Sequence, residues 1–349
     1  MKESAVEVLI KSDNVARPSR RKKILVYFFK AGFVAGLLYF LVQKGFISVQ
    51  ATQLAFTRLD KLLPAVGTIL FLSIMGAVRW QWLLRAQGIH LSWWKTIQLN
   101  YIGGFFNIAL PGAISGDFVK AFYIGREVQG QRARAFGSIL FDRVAGLSAL
   151  AFVSAGAMLV GFPTFNGTPV FSALRFLITL AASLALLFYI YLFALREQHD
   201  PLLYFLRQLE LKFPKLGSFT RIYEGIRHYH HHRWVVIKSL ILSAGVHLAI
   251  GWACFYFAQA LGDDQVSLLA SYVVVPLGLL VTAVPVMPAG VGTGHAAFLY
   301  LFHLVGCERG ADIFTLYALV SMLIGAIGGF IYIRFRTNAP AVPISTDAE

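Results

Sequence analysis

The sequence has few cysteines, few charged residues and, among the charged ones, few Asp and Glu. Cys254 and Cys307 are the only two cysteines among 349 residues, which excludes a disulfide framework. Charged residues make up 14% of the chain and hydrophobic residues 57%, so the chain is too apolar for a soluble domain. Asp and Glu number 17 against 31 Lys and Arg. In a chain this apolar, the basic excess points to membrane topology and anionic lipid rather than to nucleic acid.

The chain also lacks the common catalytic signatures. It has no Walker A motif, no nucleophile elbow, no His-Glu-x-x-His motif and no dinucleotide fingerprint. The histidine cluster around residues 228–232 lies in a basic loop without cysteine or carboxylate ligands beside it, so it does not predict a metal site. We therefore expect no cofactor and no metal, and the balance favours a transporter over an enzyme.

What the chain has instead is long apolar runs. They predict an all-α polytopic membrane protein with six full spans, at 24–43, 62–84, 135–161, 171–195, 235–260 and 312–334. Two further apolar stretches, 96–127 and 267–306, are interrupted by Pro and Gly. Each of them is either a re-entrant hairpin or a pair of short spans, and in both cases its two ends emerge on the same side.

The two interruptions resemble each other. The first reads LPGAISGD at 110–117 and the second reads MPAGVGTGH at 287–295. Proline removes a backbone donor and glycine removes the bias toward helix, so neither stretch continues a helix. In lipid, such backbone survives only where protein buries it or where it lines a wet cavity. A matched pair of breaks is typical of a transporter binding site.

Basic residues orient this topology. One side of the predicted membrane domain carries 22 Lys and Arg against four on the other, so both termini are predicted to be cytoplasmic. A basic tail (1–23) precedes a single membrane domain (24–334), and a second tail (335–349) follows it. The domain divides into possible inverted halves, 24–161 and 171–334. The loop between them, 196–234, is predicted to be amphipathic, either lying on an anionic leaflet or packed on the membrane domain.

Burying an ionisable group at membrane depth costs free energy unless the group is paired or hydrated, so such residues are functional candidates. Asp117 and Lys120 follow the first break, and Asp142 and Arg143 lie inside the third span. Neighbouring residues on a helix do not face each other, so we predict that Asp117 pairs with Arg143 and Lys120 with Asp142. The alternative is that Asp142 and Arg143 only hold helices together. His295 closes the second break, where it binds phosphate, titrates or simply caps a helix.

Three ordered motifs carry a resemblance to a known family. They are P-x-x-I-x-G-D-x-x-K at 111–120, S-x-x-x-D-R-x-x-G-L at 138–147 and P-x-G-x-G at 288–292. Together they resemble the membrane region of the lysylphosphatidylglycerol synthase/flippases, over about 24–334. The family commonly has Arg where Lys120 stands, Gly-Gly at 115–116 and 289–290, and Glu near His295. The aminoacyl-transferase domain is absent, so the resemblance implies lipid handling without lipid aminoacylation.

The lead hypothesis is therefore a flippase-like lipid translocase or lipid transporter of a bacterial or archaeal cytoplasmic membrane. Its substrate would be an anionic phospholipid or a polyprenyl-phosphate-linked lipid, and anionic head groups would also meet its cytoplasmic face. The alternatives are a membrane-embedded transferase acting on a lipid-linked substrate, or a non-transporting partner that presents lipid. The predicted substrate-binding residues are Pro111, Gly112, Gly116, Asp117, Lys120, Asp142, Arg143, Pro288, Gly290, Gly292, Gly294 and His295.

Overall fold

A computed structural model describes residues 49–109, 115–128, 130–165, 169–195, 199–282 and 292–335. The basic tail, the predicted span 24–43, the centres of both breaks and nearly all of the C-terminal tail lie outside these ranges. Within them the chain is helical and contains no strand. The helices are α1 (Val49–Phe56), α2 (Leu59–Ala86), α3 (Trp93–Ala109), α4 (Ser115–Glu127), α5 (Arg132–Phe165), α6 (Pro169–Ala194), α7 (Pro201–Lys212), α8 (Gly217–Arg227), α9 (Arg233–Ala260), α10 (Leu268–Thr282), α11 (Thr293–His303) and α12 (Gly310–Arg334).

Five of these helices, α2, α5, α6, α9 and α12, are long and apolar enough to cross a membrane. They coincide with the predicted spans 62–84, 135–161, 171–195, 235–260 and 312–334. The apolar helix α10 is shorter. The protein is therefore a multi-pass α-helical membrane protein, while the predicted first span stays a prediction.

Each broken segment forms two short helices that pack on each other, α3 with α4 and α10 with α11. At a rise of about 1.5 Å per residue, none of the four reaches the roughly 30 Å of a hydrocarbon core. Lys95 at the start of α3 pairs with Glu127 at the end of α4. Cys307, after α11, lies close to Asp263, before α10. Both ends of each broken segment therefore lie together, as predicted.

The two helix pairs open toward opposite ends of the bundle. Helices α2 and α9 pack together and run antiparallel, because Arg58 at the start of α2 donates to the Gln259 carbonyl near the end of α9 at 3.0 Å. Helix α3 follows the end of α2 and α10 follows the end of α9, so the two pairs begin at opposite faces.

The packing between the halves is also reciprocal. The last span of the first half, α5, packs on α10, and the last span of the second half, α12, packs on α3. A pair of halves related by a two-fold axis would show this reciprocity. The inverted relation itself stays a prediction.

The loop between the halves is folded onto the face where α6 ends and α9 begins. Helix α8 packs on α5, and Tyr229 beyond it is fully buried and stacks on Phe141 with ring centroids 4.1 Å apart. Asp200 caps the start of α7, because its side chain accepts the Leu203 amide at 2.9 Å. Part of the loop is thus packed on the membrane domain, although Phe219 on α8 is exposed.

Candidate functional site

Polar side chains from five helices line a cavity of about 290 Å³ inside the membrane domain. Asp142 lies ten residues from the start of α5 at Arg132, inside the stretch 135–161 that is predicted to span the membrane. The lining comprises Arg79 from α2, Asn100, Gly103, Gly104 and Asn107 from α3, Asp117 and Lys120 from α4, Asp142, Arg143, Gly146, Leu147 and Leu150 from α5, and His247 from α9.

Asp142 is held by Arg79, a residue of α2. The guanidinium donates from Nε to Oδ1 at 2.8 Å and from Nη2 to Oδ2 at 3.1 Å, which makes a two-pronged pair. Its third nitrogen, Nη1, donates to the Ser243 hydroxyl of α9 at 2.6 Å. Arg79 thereby joins α2, α5 and α9 at the cavity wall.

The predicted pair of Asp117 with Arg143 is confirmed. Arg143 Nε donates to Asp117 Oδ2 at 2.7 Å and ties α5 to α4, just beyond the first break. The Arg143 side chain keeps 30% of its surface exposed, whereas that of Asp117 keeps 14%. Of the two groups, the arginine is therefore the more accessible from the cavity.

The predicted ion pair of Lys120 with Asp142 is wrong, because Arg79 takes both oxygens of that carboxylate. Lys120 is only 4% exposed. Its ammonium lies 3.9 Å from the ring centroid of Trp80 and 3.4 Å from the Asn100 side-chain oxygen. Among the described residues no carboxylate comes within 4.0 Å of it. The cavity thus holds three fixed cations against two carboxylates, and the surplus charge is buried.

Gly116 has a packing role that the sequence did not reveal. A Cβ on Gly116 would overlap the carbonyl oxygen of Gly103 and lie 2.8 Å from the Asn107 amide oxygen, so α3 and α4 cross at backbone contact. The Gly116 amide donates to Asn107 Oδ1 at 2.9 Å. Gly112 and Gly116 are among the predicted substrate-binding residues, and because a glycine binds a ligand through its backbone, a free amide is expected at each of them. The Gly116 amide is already satisfied, which corrects that expectation for this residue, and Pro111 and Gly112 lie outside the described residues.

The second break does not reach the cavity through any residue that the structure describes. Gly292 has φ +86°, a backbone conformation that favours glycine. A Cβ on Gly294 would come within 2.6 Å of the Phe314 ring. His295 accepts the Gly292 amide at Nδ1, 3.3 Å away, and its Nε2 lies 3.1 Å from the Thr315 hydroxyl. The Gly292 contact closes the first turn of α11, whereas the Thr315 contact and the packing of Gly294 on Phe314 tie α11 to α12. Pro288 and Gly290 lie outside the described residues.

Arg79, Asn100 and His247 belong to the cavity but were missed from the sequence. Arg79 and His247 interrupt long apolar helices, and that polarity was the available signal. His247 Nε2 lies 3.2 Å from the Gly146 carbonyl, so this nitrogen donates. Its other ring nitrogen, Nδ1, is buried and has no hydrogen-bond partner within the described part of the chain. The cavity thus offers a free acceptor beside its cations.

With this geometry in place, comparison with known proteins identifies the class. The sequence profile described as "Lysylphosphatidylglycerol synthase TM region" matches residues 27–329, so the chain belongs to that family of membrane proteins. The chain is also similar to the UPF0104 membrane protein PH1989 of Pyrococcus horikoshii. The two are 25% identical over 287 residues, which cover 75% of this chain and 83% of that protein. No solved structure matches the chain. Family membership makes it a lipid-related membrane protein.

Proposed function

We propose that the protein is a lipid translocase that binds a phosphate-bearing lipid head group in this cavity and carries it across the membrane. The observation that carries the proposal is the buried ammonium of Lys120, which makes no ion pair within 4.0 Å among the described residues although Asp142 and Asp117 lie in the same cavity. A buried charge without a counter-ion costs several kcal/mol. Contact with the face of Trp80 offsets only part of this cost, on the order of 2 kcal/mol for a desolvated contact. An anionic ligand would supply the missing counter-ion.

The remaining charges fit the same ligand. Arg143 is the more exposed partner of its ion pair and is placed to share its guanidinium with a phosphate oxygen. The unpartnered Nδ1 of His247 would accept a hydrogen bond from a hydroxyl or an ammonium on the head group. The two arginine–carboxylate pairs hold the wall in shape, so the binding groups are fixed in place before the lipid enters.

The size of the cavity restricts what enters it. About 290 Å³ lies at the lower end of small-molecule sites and admits a polar head group, not a lipid with its chains. The acyl or polyprenyl chains would therefore remain in the bilayer while the head group crosses. This division of the substrate is the usual requirement for moving a lipid between leaflets.

An embedded transferase is less well supported by the same contacts. A catalytic base or a magnesium ligand needs a carboxylate with free oxygens. Asp142 gives both oxygens to Arg79, and Asp117 is engaged with Arg143. Asp142 would have to leave its arginine before it could act, and Asp117 keeps only the oxygen that Arg143 does not contact. The geometry therefore favours binding over bond cleavage.

The test uses the full-length protein reconstituted into liposomes that contain a fluorescent phosphatidylglycerol. Transfer between leaflets is read from quenching by an impermeant reductant. We compare the wild type with Lys120→Gln, which removes the buried charge and keeps much of the side chain. Lys238→Gln is the matched control, because Lys238 lies exposed on α9 outside the cavity.

We expect Lys120→Gln to slow transfer by about tenfold or more, since a hydrogen-bonded charge contributes roughly 1.5–3 kcal/mol. Lys238→Gln should transfer lipid at the wild-type rate. Equal rates for wild type and Lys120→Gln would overturn the assignment of the cavity. If the wild type binds lipid in a Lys120-dependent way but moves none, the protein presents lipid and does not transport it. Turnover of a lipid-linked donor would establish the transferase.

A further inference from the structure

A second polar pocket lies outside the membrane cavity, on the face that the charge pattern predicts to be cytoplasmic. It has a volume of about 440 Å³ and lies between the start of α5 and helices α7 and α8. Four arginines line it against a single acidic residue, Glu224. Those arginines are Arg134, Arg207, Arg221 and Arg227.

Two of the four arginines already form ion pairs with carboxylates of the protein. Arg207 Nη2 donates to Glu224 at 2.9 Å. Arg227 pairs with Asp200 at 2.8 Å, and the two side chains are 2% and 0% exposed. Arg227 also donates to the carbonyls of Leu192 and Leu195, which end α6. These contacts fasten α7 and α8 to the membrane domain, so the pocket has a fixed wall.

The other two arginines are available. Within the described residues Arg134 has no ion pair, and Arg221 makes only a long hydrogen bond of 3.4 Å to Ser218. Both are exposed at the pocket. The side-chain oxygen of Gln131, another lining residue, is buried and unpartnered in this part of the structure. A side-chain amide presents either its oxygen or its nitrogen, so this group adds a hydrogen bond to a ligand.

Apolar side chains beside the pocket indicate where the ligand comes from. Helices α7 and α8 and the turn between them expose large apolar groups, and Leu211 is 78% exposed. The others are Leu202, Tyr204, Phe205, Phe213 and Phe219. Exposed apolar groups interleaved with arginines, next to the end of a membrane span, are typical of a surface that inserts into the head-group region of a bilayer.

We propose that this pocket binds the phosphate group of an anionic membrane lipid, separately from the head-group cavity. Arg134 and Arg221 supply the phosphate contacts, and the apolar side chains of α7 and α8 lie against the acyl chains of the same leaflet. The site is specific for lipid, because a free phosphate would gain nothing from the apolar surface. The inference is independent of transport and holds whether or not the cavity moves lipid.

Native mass spectrometry of the full-length protein in detergent tests the proposal. The protein is titrated separately with dioleoyl phosphatidylglycerol, with dioleoylglycerol, which has the chains without the phosphate, and with inorganic phosphate. The variant is the double substitution Arg134→Gln and Arg221→Gln. Arg126→Gln is the control, since Arg126 is an exposed arginine of α4 that lies outside the pocket.

We expect the double variant to bind one phosphatidylglycerol fewer, or to bind that one about tenfold more weakly, while Arg126→Gln binds as the wild type does. Neither dioleoylglycerol nor inorganic phosphate should occupy the site. Unchanged phosphatidylglycerol binding in the double variant would overturn the proposal. Occupancy by inorganic phosphate at the same concentration would overturn the lipid assignment. Size-exclusion profiles identify any variant that fails to fold, and the single variants Arg134→Gln and Arg221→Gln then replace it.

Discussion

The crossing of α3 and α4 at Gly116 supports a quantitative test of how the cavity is built. In Gly116→Ala the new methyl group would overlap the Gly103 carbonyl oxygen. An ordinary carbon–oxygen contact is about 3.3 Å, so the two helices would have to separate by more than about 1 Å. That movement would also break the 2.9 Å hydrogen bond from the Gly116 amide to Asn107.

The expected cost follows from these two losses. Overpacking a tight contact costs about 1–3 kcal/mol, and the lost hydrogen bond adds about 1 kcal/mol. The higher helix propensity of alanine offsets up to about 1 kcal/mol of this destabilisation. We therefore expect Gly116→Ala to lower the free energy of unfolding by about 1–4 kcal/mol, and to lower lipid binding as well, because Asp117 and Lys120 move with α4.

The structure provides both the assay and the control. Cys254 and Cys307 are free and buried, so a thiol-reactive fluorogenic dye reports thermal unfolding. Gly104→Ala is the matched control: it lies on α3, lines the cavity and has no atom within 4 Å of an added Cβ. Gly104→Ala should unfold at or above the wild-type temperature, and Gly116→Ala below it by roughly 2–4 °C for each kcal/mol lost. If the two variants unfold at the same temperature, the close crossing of α3 and α4 is wrong.

Three further changes test other parts of the structure. Arg79→Gln should lower the free energy of unfolding by about 3–5 kcal/mol, because it leaves the Asp142 carboxylate buried and unpaired. A double variant with Arg79→Met and Asp142→Leu should recover stability in the dye assay but should not recover lipid transfer. Burial raises the pKa of Asp200, but hydrogen bonds from Tyr191, Leu203 and Tyr223 and the charge of Arg227 outweigh it and hold this pKa below its ordinary value. The resulting stabilisation is present above about pH 4 and is lost as the pH falls through the lowered pKa, so unfolding temperatures measured against pH should fall less steeply below pH 4 in Asp200→Asn. In Gly328→Ala the new methyl group would overlap the Tyr101 carbonyl of α3, so this variant should bind less lipid although residue 328 lies outside the cavity. Gly245→Ala has open space around the new methyl group and should bind lipid as the wild type does. Equal lipid binding by these two variants would contradict the packing of α12 on α3.

The sequence predicted the parts of the fold that lipid dictates. Every span predicted within the described residues is a helix there, because a run of about 20 apolar residues has no other way to satisfy its backbone in a bilayer. The return of each broken segment to its starting side followed from a Pro/Gly interruption in an apolar stretch, whereas the orientation that the charges predict stays a prediction. The pair of Asp117 with Arg143 followed from the rule that helix neighbours face different directions.

The partners of the other charges could not be predicted in this way. Asp142 is 63 residues from Arg79 along the chain, and Ser243 is 164 residues from Arg79. The partner of a buried carboxylate depends on how α2 and α9 pack together, and a local sequence pattern does not predict that packing. The same holds for Gly116: its place in a break suggested a ligand contact, whereas the crossing of α3 and α4 uses it for backbone approach.

The described end of the second break supports the cavity wall through helix packing and does not line the cavity. None of its described residues lines the cavity, yet His295 and Gly294 fasten α11 to α12. Helix α12 in turn packs on α3, where a Cβ on Gly325 would come within 2.5 Å of Ile108. Because α3 carries Asn100 and the contact with Gly116, the start of α11 is linked to Lys120 through two close helix contacts, α12 on α3 and α3 on α4. In the proposed site, Asp117 and Lys120 of α4 would contact the head group, and α11 would act only through α12 and α3, by setting the position of the cavity wall.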